Sequence, residues 1–337
     1  MRDARPLAVA LADPVSVLRF TSDEWTGLLA IARAERLDGS LAYRLADLPL
    51  PEPIARALED ARAQAVFGRT QALWEVEMAR RALTPIGIEP ILLKGSAFAF
   101  AGLPAGVGRL VGDLDILVPR DRLDDVEAVL LGTGFEWVKT DTYDQAYYRR
   151  WMHELPPLVH SERGSMIDVH HTILPLTARR TPDAAALIAD SIGIAPGLRI
   201  LSPADMIVHA VTHLLADGDL AGGLRNLWDI DRLLRLFAAS PEFWTKLQVR
   251  ADLHEMREPV ALALRLADRV FATPVEPRLA GHDRMRDALF IRRLLARDGW
   301  GRSIRPVNRL GFYIRSHAMR MPPLMLARHL WTKARSK

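Results

Sequence analysis

The 337 residues contain no cysteine, which excludes disulfides, thiolate-bound metal and a cysteine nucleophile. Nor do they contain the roughly 18 consecutive apolar residues that a bilayer-spanning helix needs. The stretch from Leu7 to Ala12 is too short for a secretory signal, so the sequence predicts a cytoplasmic protein with no transmembrane segment. Internal repeats and low-complexity tracts are missing too. With 49% hydrophobic and 26% charged residues, the composition makes no case for a disordered or fibrous chain. The length allows one large domain or two to three small ones, each with its own core.

The excess charge is local. Residues 284 to 337 hold fourteen Lys and Arg against two Asp and Glu, so the other 283 residues carry about −8 within the net +4. Such a basic C-terminal tail suits an acidic partner (nucleic acid, an acidic peptide or anionic lipid), or is simply a solvated arginine-rich helix. Trp300, Phe312, Tyr313 and Trp331 stand among its arginines, a mixture fit for stacking and phosphate contact, for a membrane surface or for core packing. Pro322 and Pro323 break any continuous amphipathic anchor there.

Residues 21 to 48 open with Thr-Ser-Asp-Glu ahead of Trp25, Leu28, Leu29, Ile31 and Ala32, the capping and spacing of an amphipathic helix. A second helical pattern runs from Pro53 to Leu83 and stops at Thr84-Pro85. The texture then changes. Short apolar runs at 90 to 93, 114 to 118, 135 to 140 and 165 to 171 read as strands, with helices after the first and over 122 to 132. A Pro- and Thr-rich linker at 173 to 182 and a loop at 194 to 199 come next, and the remainder reads as helix, with Ser202-Pro203-Ala204-Asp205 a well-formed helix start. The fold class expected is α+β. A small mixed sheet in residues 86–180 is flanked by an N-terminal helical segment over 1–85 and a C-terminal helical half over 181–337.

The chemistry gathers on those strands. On a strand, residues i and i+2 share a face, so Asp113 and Asp115 point together while Leu114 and Ile116 enter the core. Asp168, between Ile167 and Val169, brings a third acid on a second strand. A few carboxylates plus substrate phosphates are how magnesium, or manganese, is commonly held. Gly95 lets backbone approach a phosphate, Ser96 offers a hydroxyl at the start of a helix, and Lys94 and Arg109 are candidate phosphate contacts. For Lys94 and Arg109 the bland alternative is simple surface exposure.

These residues together resemble a family. Gly95-Ser96, the Asp113-Leu114-Asp115 strand and the lone Asp168 strand are the pattern of the nucleotidyltransferase superfamily with the DNA polymerase beta type of fold. Leu92 to Gly95, Arg109, the string from Gly112 to Val118, His153-Glu154-Leu155-Pro156, Asp168-Val169-His170, Ser202 to Asp205, His213 and Trp228-Asp229-Ile230 are similar to the bacterial group of uncharacterised nucleotidyltransferases. The sixteen residues between Ser96 and Asp113 exceed the superfamily's usual insert, and Gly102, Pro104, Gly106, Gly108 and Gly112 suggest a mobile loop there. The resemblance implies a magnesium- or manganese-dependent transferase. It would bind a nucleoside triphosphate, ATP first among the candidates, and pass a nucleotide to an acceptor: a small molecule, a peptide, a protein or tRNA. Asp113, Asp115 and Asp168 would be catalytic and metal-binding. The alternatives are a non-catalytic protein of the same fold, recognising a peptide, RNA or protein partner through the basic tail, and a metal-dependent phosphohydrolase.

Four further residues are candidates for the acceptor side. His170 shares the face of Asp168 and either touches substrate, orients the acid or packs in the core. His213 forms an i, i+4 pair with His209, a zinc-compatible spacing without a third ligand, better read as packing or substrate contact. Arg225 and Asp229 share a helix with Asp231 and a buried stripe of Leu224, Leu227, Ile230, Leu233 and Leu234. Their charges mark either its wet face or the lining of a cleft.

Overall fold

The computed structural model describes residues 2–216 and 219–320. Helix Ser22–Ala34 starts with a complete capping box, Thr21 and Glu24 each satisfying the other's backbone amide. The run expected to continue to 48 breaks at Arg36, which takes a φ of 54°, and resumes as helix Asp38–Arg44. The next helix, Glu52–Leu83, is 32 residues long and ends where Thr84-Pro85 requires.

Among the described residues, seven strands come after it: β1 (Ile91–Leu92), β2 (Asp113–Leu117), β3 (Phe135–Trp137), β4 (Leu158–His160), β5 (Met166–His170), β6 (Ile192–Ala195) and β7 (Leu198–Ile200). They form one mixed sheet in the order β3-β4-β5-β2-β1-β7-β6. The pairs β2/β5 and β1/β7 are parallel and the other four antiparallel. The fold is α+β, as the sequence predicts. Beyond the last strand the chain is mostly helical, through Pro203–Ala216, Gly223–Phe237, Phe243–Leu253, Arg257–Phe271, Arg284–Leu294 and Pro306–Arg320.

Three local expectations are corrected. The loop expected at 194 to 199 is a hairpin: Gly197, at φ 75°, turns the chain and β7 pairs in parallel with β1. Its partner lies more than a hundred residues earlier, beyond the reach of any local pattern. The insert between Ser96 and Asp113, expected as a mobile loop, is partly packed into the fold. Residues Pro104–Gly106 form a 3₁₀ turn with Ala105 fully buried, and a Cβ at Gly106 would strike the backbone of Phe98 at 2.7 Å. Gly106 and Gly108 serve close approach, whereas Gly102 takes a φ of 63° in open space. The charges on helix Gly223–Phe237 are not a wet face either: Arg225, Asp229 and Asp231 are all buried.

One continuous apolar core joins the N-terminal helices, the sheet and the later helices. Trp228 lies deep within it, edge-on to Phe271 at 5.2 Å, and burial of a side chain of this kind stabilises the fold by about 1.5–3 kcal/mol. In the basic tail, Phe312 is core, packed on Phe290 at 4.8 Å, and Trp300 is exposed. Trp331, Pro322 and Pro323 lie outside the described residues. Among the described residues, no helix is long and apolar enough to cross a membrane.

Candidate active site

The centre of the sheet places the acids. In the parallel β2/β5 register Asp115 stands directly opposite Asp168 and Asp113 opposite Met166, so the three acids share one face at one end of the pair. Asp113 is exposed, Asp168 half-buried and Asp115 buried.

Each buried carboxylate is treated differently. Asp115 Oδ1 accepts from Lys94 Nζ at 2.7 Å and from His170 Nε2 at 3.0 Å. Burial alone would raise the Asp115 carboxyl, but Lys94 and His170 outweigh it and hold it well below the ordinary carboxylate range. Asp168 has no such help. Its Oδ1 is buried with no hydrogen-bond partner. Burial first, then the negative charges of Asp115 and Asp113, push its carboxyl up to about 6, with Lys94 opposing.

Lys94 reaches Asp115 from the start of helix Lys94–Phe100, with a φ of 47°. That left-handed conformation costs a lysine on the order of 1 kcal/mol, and the ion pair beneath the helix holds it. Gly95 is close-packed under Arg109, where a side chain would strike the guanidinium. Ser96 is buried, and its hydroxyl donates to the Asp113 carbonyl at 3.4 Å.

Two cavities meet at Gly112 and Asp113. One, of about 430 Å³, is lined by Lys94, Asp115 and Asp113 and by the cations Arg36, Arg109, Arg225 and Arg297, with His213 and Glu35. The other, of about 530 Å³, is lined by Thr70, Gln71, Trp74, Glu75, Ser96 and Arg163. The first joins residues from both ends of the chain to the sheet. Arg297 Nε donates to Glu35 Oε1 at 2.6 Å, and Arg109 Nε to Asp229 Oδ2 at 3.0 Å. Arg225 contacts Asp229 at 2.9 Å and donates to the Ser40 hydroxyl at 2.7 Å and the Ala105 carbonyl at 3.2 Å.

The structure thus brings Lys94, Gly95, Arg109, Asp113, Asp115, His213 and Arg225 to one cavity, with Asp229 behind its arginines, Ser96 on the neighbouring cavity, and Asp168 and His170 beside Asp115. Sequence reasoning gave no sign of Arg36, Arg297, Trp74 or Arg163. None stands in a recognisable spacing, and only the tertiary fold carries them here. Conversely His209, buried one turn before His213, is held neutral: burial, then the positive charges of Lys94, His170 and His213, drive its pKa well below that of a free imidazole.

The arrangement offers carboxylates for a hard cation beside a cationic cavity of a size to take a phosphate chain. No curated protein and no solved structure matches the chain significantly. The family described as uncharacterised nucleotidyltransferase matches residues 21–272, a span that contains the whole sheet, all three acids and every cavity-lining residue named above except Arg297. The chain belongs to the uncharacterised nucleotidyltransferase family, a membership that suggests nucleotidyl transfer in general.

Proposed function

We propose that this chain is a Mg2+-dependent (or Mn2+-dependent) nucleotidyltransferase that moves a nucleoside monophosphate from a nucleoside triphosphate to an acceptor, releasing pyrophosphate. The observation that carries the reading is Asp168, facing Asp115 across a parallel strand pair with a buried, unpartnered oxygen. Two carboxylates so placed repel, and a buried orphan oxygen costs about 1–3 kcal/mol, a penalty that a hard cation relieves. The donor set is all oxygen, which fits magnesium or manganese, with Asp113, Asp115 and Asp168 as its ligands. When bound, the ion would offset negative charge on the phosphates and on the attacking oxygen.

The protein's own groups divide the remaining work. Lys94 and His170 fix the Asp115 carboxylate and keep it ionised. Arg109, braced by Asp229, and Arg36 and Arg225 give the smaller cavity the positive charge that a triphosphate needs. Asp168, as ligand and general base, is placed beside Asp115 to take the proton of an acceptor hydroxyl as that oxygen attacks the α-phosphorus. The acceptor would enter from the larger cavity, across Gly112 and Asp113.

The test is thermal stabilisation by each of ATP, GTP, CTP and UTP, with and without MgCl2, for the natural protein and for Asp113→Ala. A ligand at a hundred times its Kd stabilises the folded state by about 2.7 kcal/mol, enough to raise the midpoint by several degrees. A magnesium-dependent shift with at least one triphosphate, lost in Asp113→Ala, is the expected result. No shift with any triphosphate would sink the assignment.

A further inference from the structure

Beside the acids, where His170 Nε2 meets the same Asp115 oxygen as Lys94, a second group of donors converges. Residues 153 to 155 run antiparallel beside the end of β5: Leu155 N donates to Val169 O and His171 N to His153 O, both at 2.9 Å, which sets Glu154 opposite His170. The backbone therefore fixes His153, Glu154 and His170 together. One donor atom from each lies within 4.8 Å of the other two.

The spacing around Glu154 Oε2 is informative. It stands 3.4 Å from His170 Nδ1 and 3.7 Å from His153 Nε2. Both are close to the roughly 3.4 Å that separates two ligands of a tetrahedral ion lying about 2.1 Å from each. His170 Nε2 lies 3.0 Å from the Asp115 carboxylate, and its Nδ1 faces Glu154. A carboxylate holding the far nitrogen of a metal-bound imidazole is the usual support for such a ligand, and Asp115 is placed to give it.

We infer that His153, Glu154 and His170 form a second metal site, for a divalent ion of the zinc class. Two imidazoles and one carboxylate favour such an ion over magnesium, and the fourth position remains for water or substrate. The site is separate from the all-oxygen set of Asp113, Asp115 and Asp168, and Asp115 joins the two through its contact with His170. It does not depend on nucleotidyl transfer being the reaction.

The experiment is calorimetric titration of Zn2+ into chelator-treated full-length protein, without nucleotide, for the natural chain, His153→Ala, Glu154→Gln and Asp113→Asn. Absorption of the Co2+-loaded natural protein reports coordination geometry independently of any variant. One equivalent of Zn2+ should bind to the natural protein and to Asp113→Asn, and Co2+ should give the intense visible bands of a tetrahedral site. Binding should weaken in His153→Ala and Glu154→Gln by more than the roughly 10–100-fold that losing a supporting hydrogen bond costs. Absence of binding to the natural protein would overturn the site, and would leave Glu154 as an ion-pair partner of the two histidines. Equal affinity in His153→Ala, or loss in Asp113→Asn, would overturn it as well, by placing the ion on the acid edge. None of these outcomes bears on the triphosphate shift that tests the transferase reading.

Discussion

Buried carboxylates occur in two settings in this molecule, and the contrast separates scaffold from site. In the helical half, three are matched by arginines, which come from another helix for Asp205 and Asp287 and from the same helix for Asp231. Asp205 takes Arg250 at 2.6 Å and His254 at 3.2 Å, Asp231 takes Thr273 at 2.6 Å and Arg235 at 2.9 Å, and Asp287 takes Arg265 at 2.9 Å and faces the charge of Arg269 at 3.1 Å with an oxygen that, like that of Asp168, makes no hydrogen bond. At the centre of the sheet, Asp115 is matched but Asp168, on the neighbouring strand, is not. A matched buried acid ties helices together. An unmatched one beside a like charge opposes the fold unless something outside the chain completes it. Burial alone would have put both groups in one class; their partners divide them.

The largest expected effect comes from the matched class. Asp205→Ala strands Arg250 and His254 and should cost about 3–5 kcal/mol in urea unfolding, the loss expected when one member of a buried ion pair is removed. Asp168→Asn, in the absence of metal, relieves a repulsion and should leave stability unchanged or raised, while abolishing the magnesium-dependent nucleotide shift. Comparable destabilisation by the two substitutions would erase the distinction between the regions.

The arginines sharpen the same comparison at lower cost. Arg109 faces the cationic cavity, whereas Arg235 spends its donors on Asp231 and on the Phe271 and Ala272 carbonyls. Arg109→Met should weaken the best triphosphate by about 1.5–3 kcal/mol, the range for hydrogen bonds to charged groups, or roughly 10–100-fold in Kd. Arg235→Met should lower stability and leave nucleotide affinity unchanged by calorimetry. Equal affinities for Arg109→Met and the natural protein would remove Arg109 from the phosphate site.

Legibility in the sequence obeys the same division. The acid strands were legible because Asp-x-Asp inside an apolar run conflicts with local burial, a conflict that only use or pairing resolves, and because two such strands lie in family order. The long helix and its stop at Pro85 were legible from periodicity and one proline. The hairpin at 192 to 200 was not, since its stability comes from β1. Asp231 was not either: on a helix with a clear leucine stripe, its partners Arg235 and Thr273 lie four and 42 residues away, and only the second reveals that this face is covered. Long-range charge matching leaves no local trace, which is also why Arg36 and Arg297 at the cavity went unforeseen.

The smallest effect concerns His209, a buried base held neutral next to the positively charged Lys94 and close to His170 and His213, with Asp115 the opposing charge. Its folded-state pKa lies below the unfolded value of about 6.5, so the unfolded chain binds the proton more readily. Stability is therefore full above about pH 6.5 and falls as the pH drops from there toward the folded pKa, by at most about 1.4 kcal/mol per pH unit. His171, also held low by burial, adds a loss of the same sign. His209→Gln removes one of these contributions, so between pH 7.5 and pH 5.5 its unfolding midpoint should fall less than that of the natural protein. Parallel midpoint curves would mean that His209 gains its proton in the folded state as easily as in the unfolded one, and that the charge around Lys94 is weaker than the geometry of the acid edge requires.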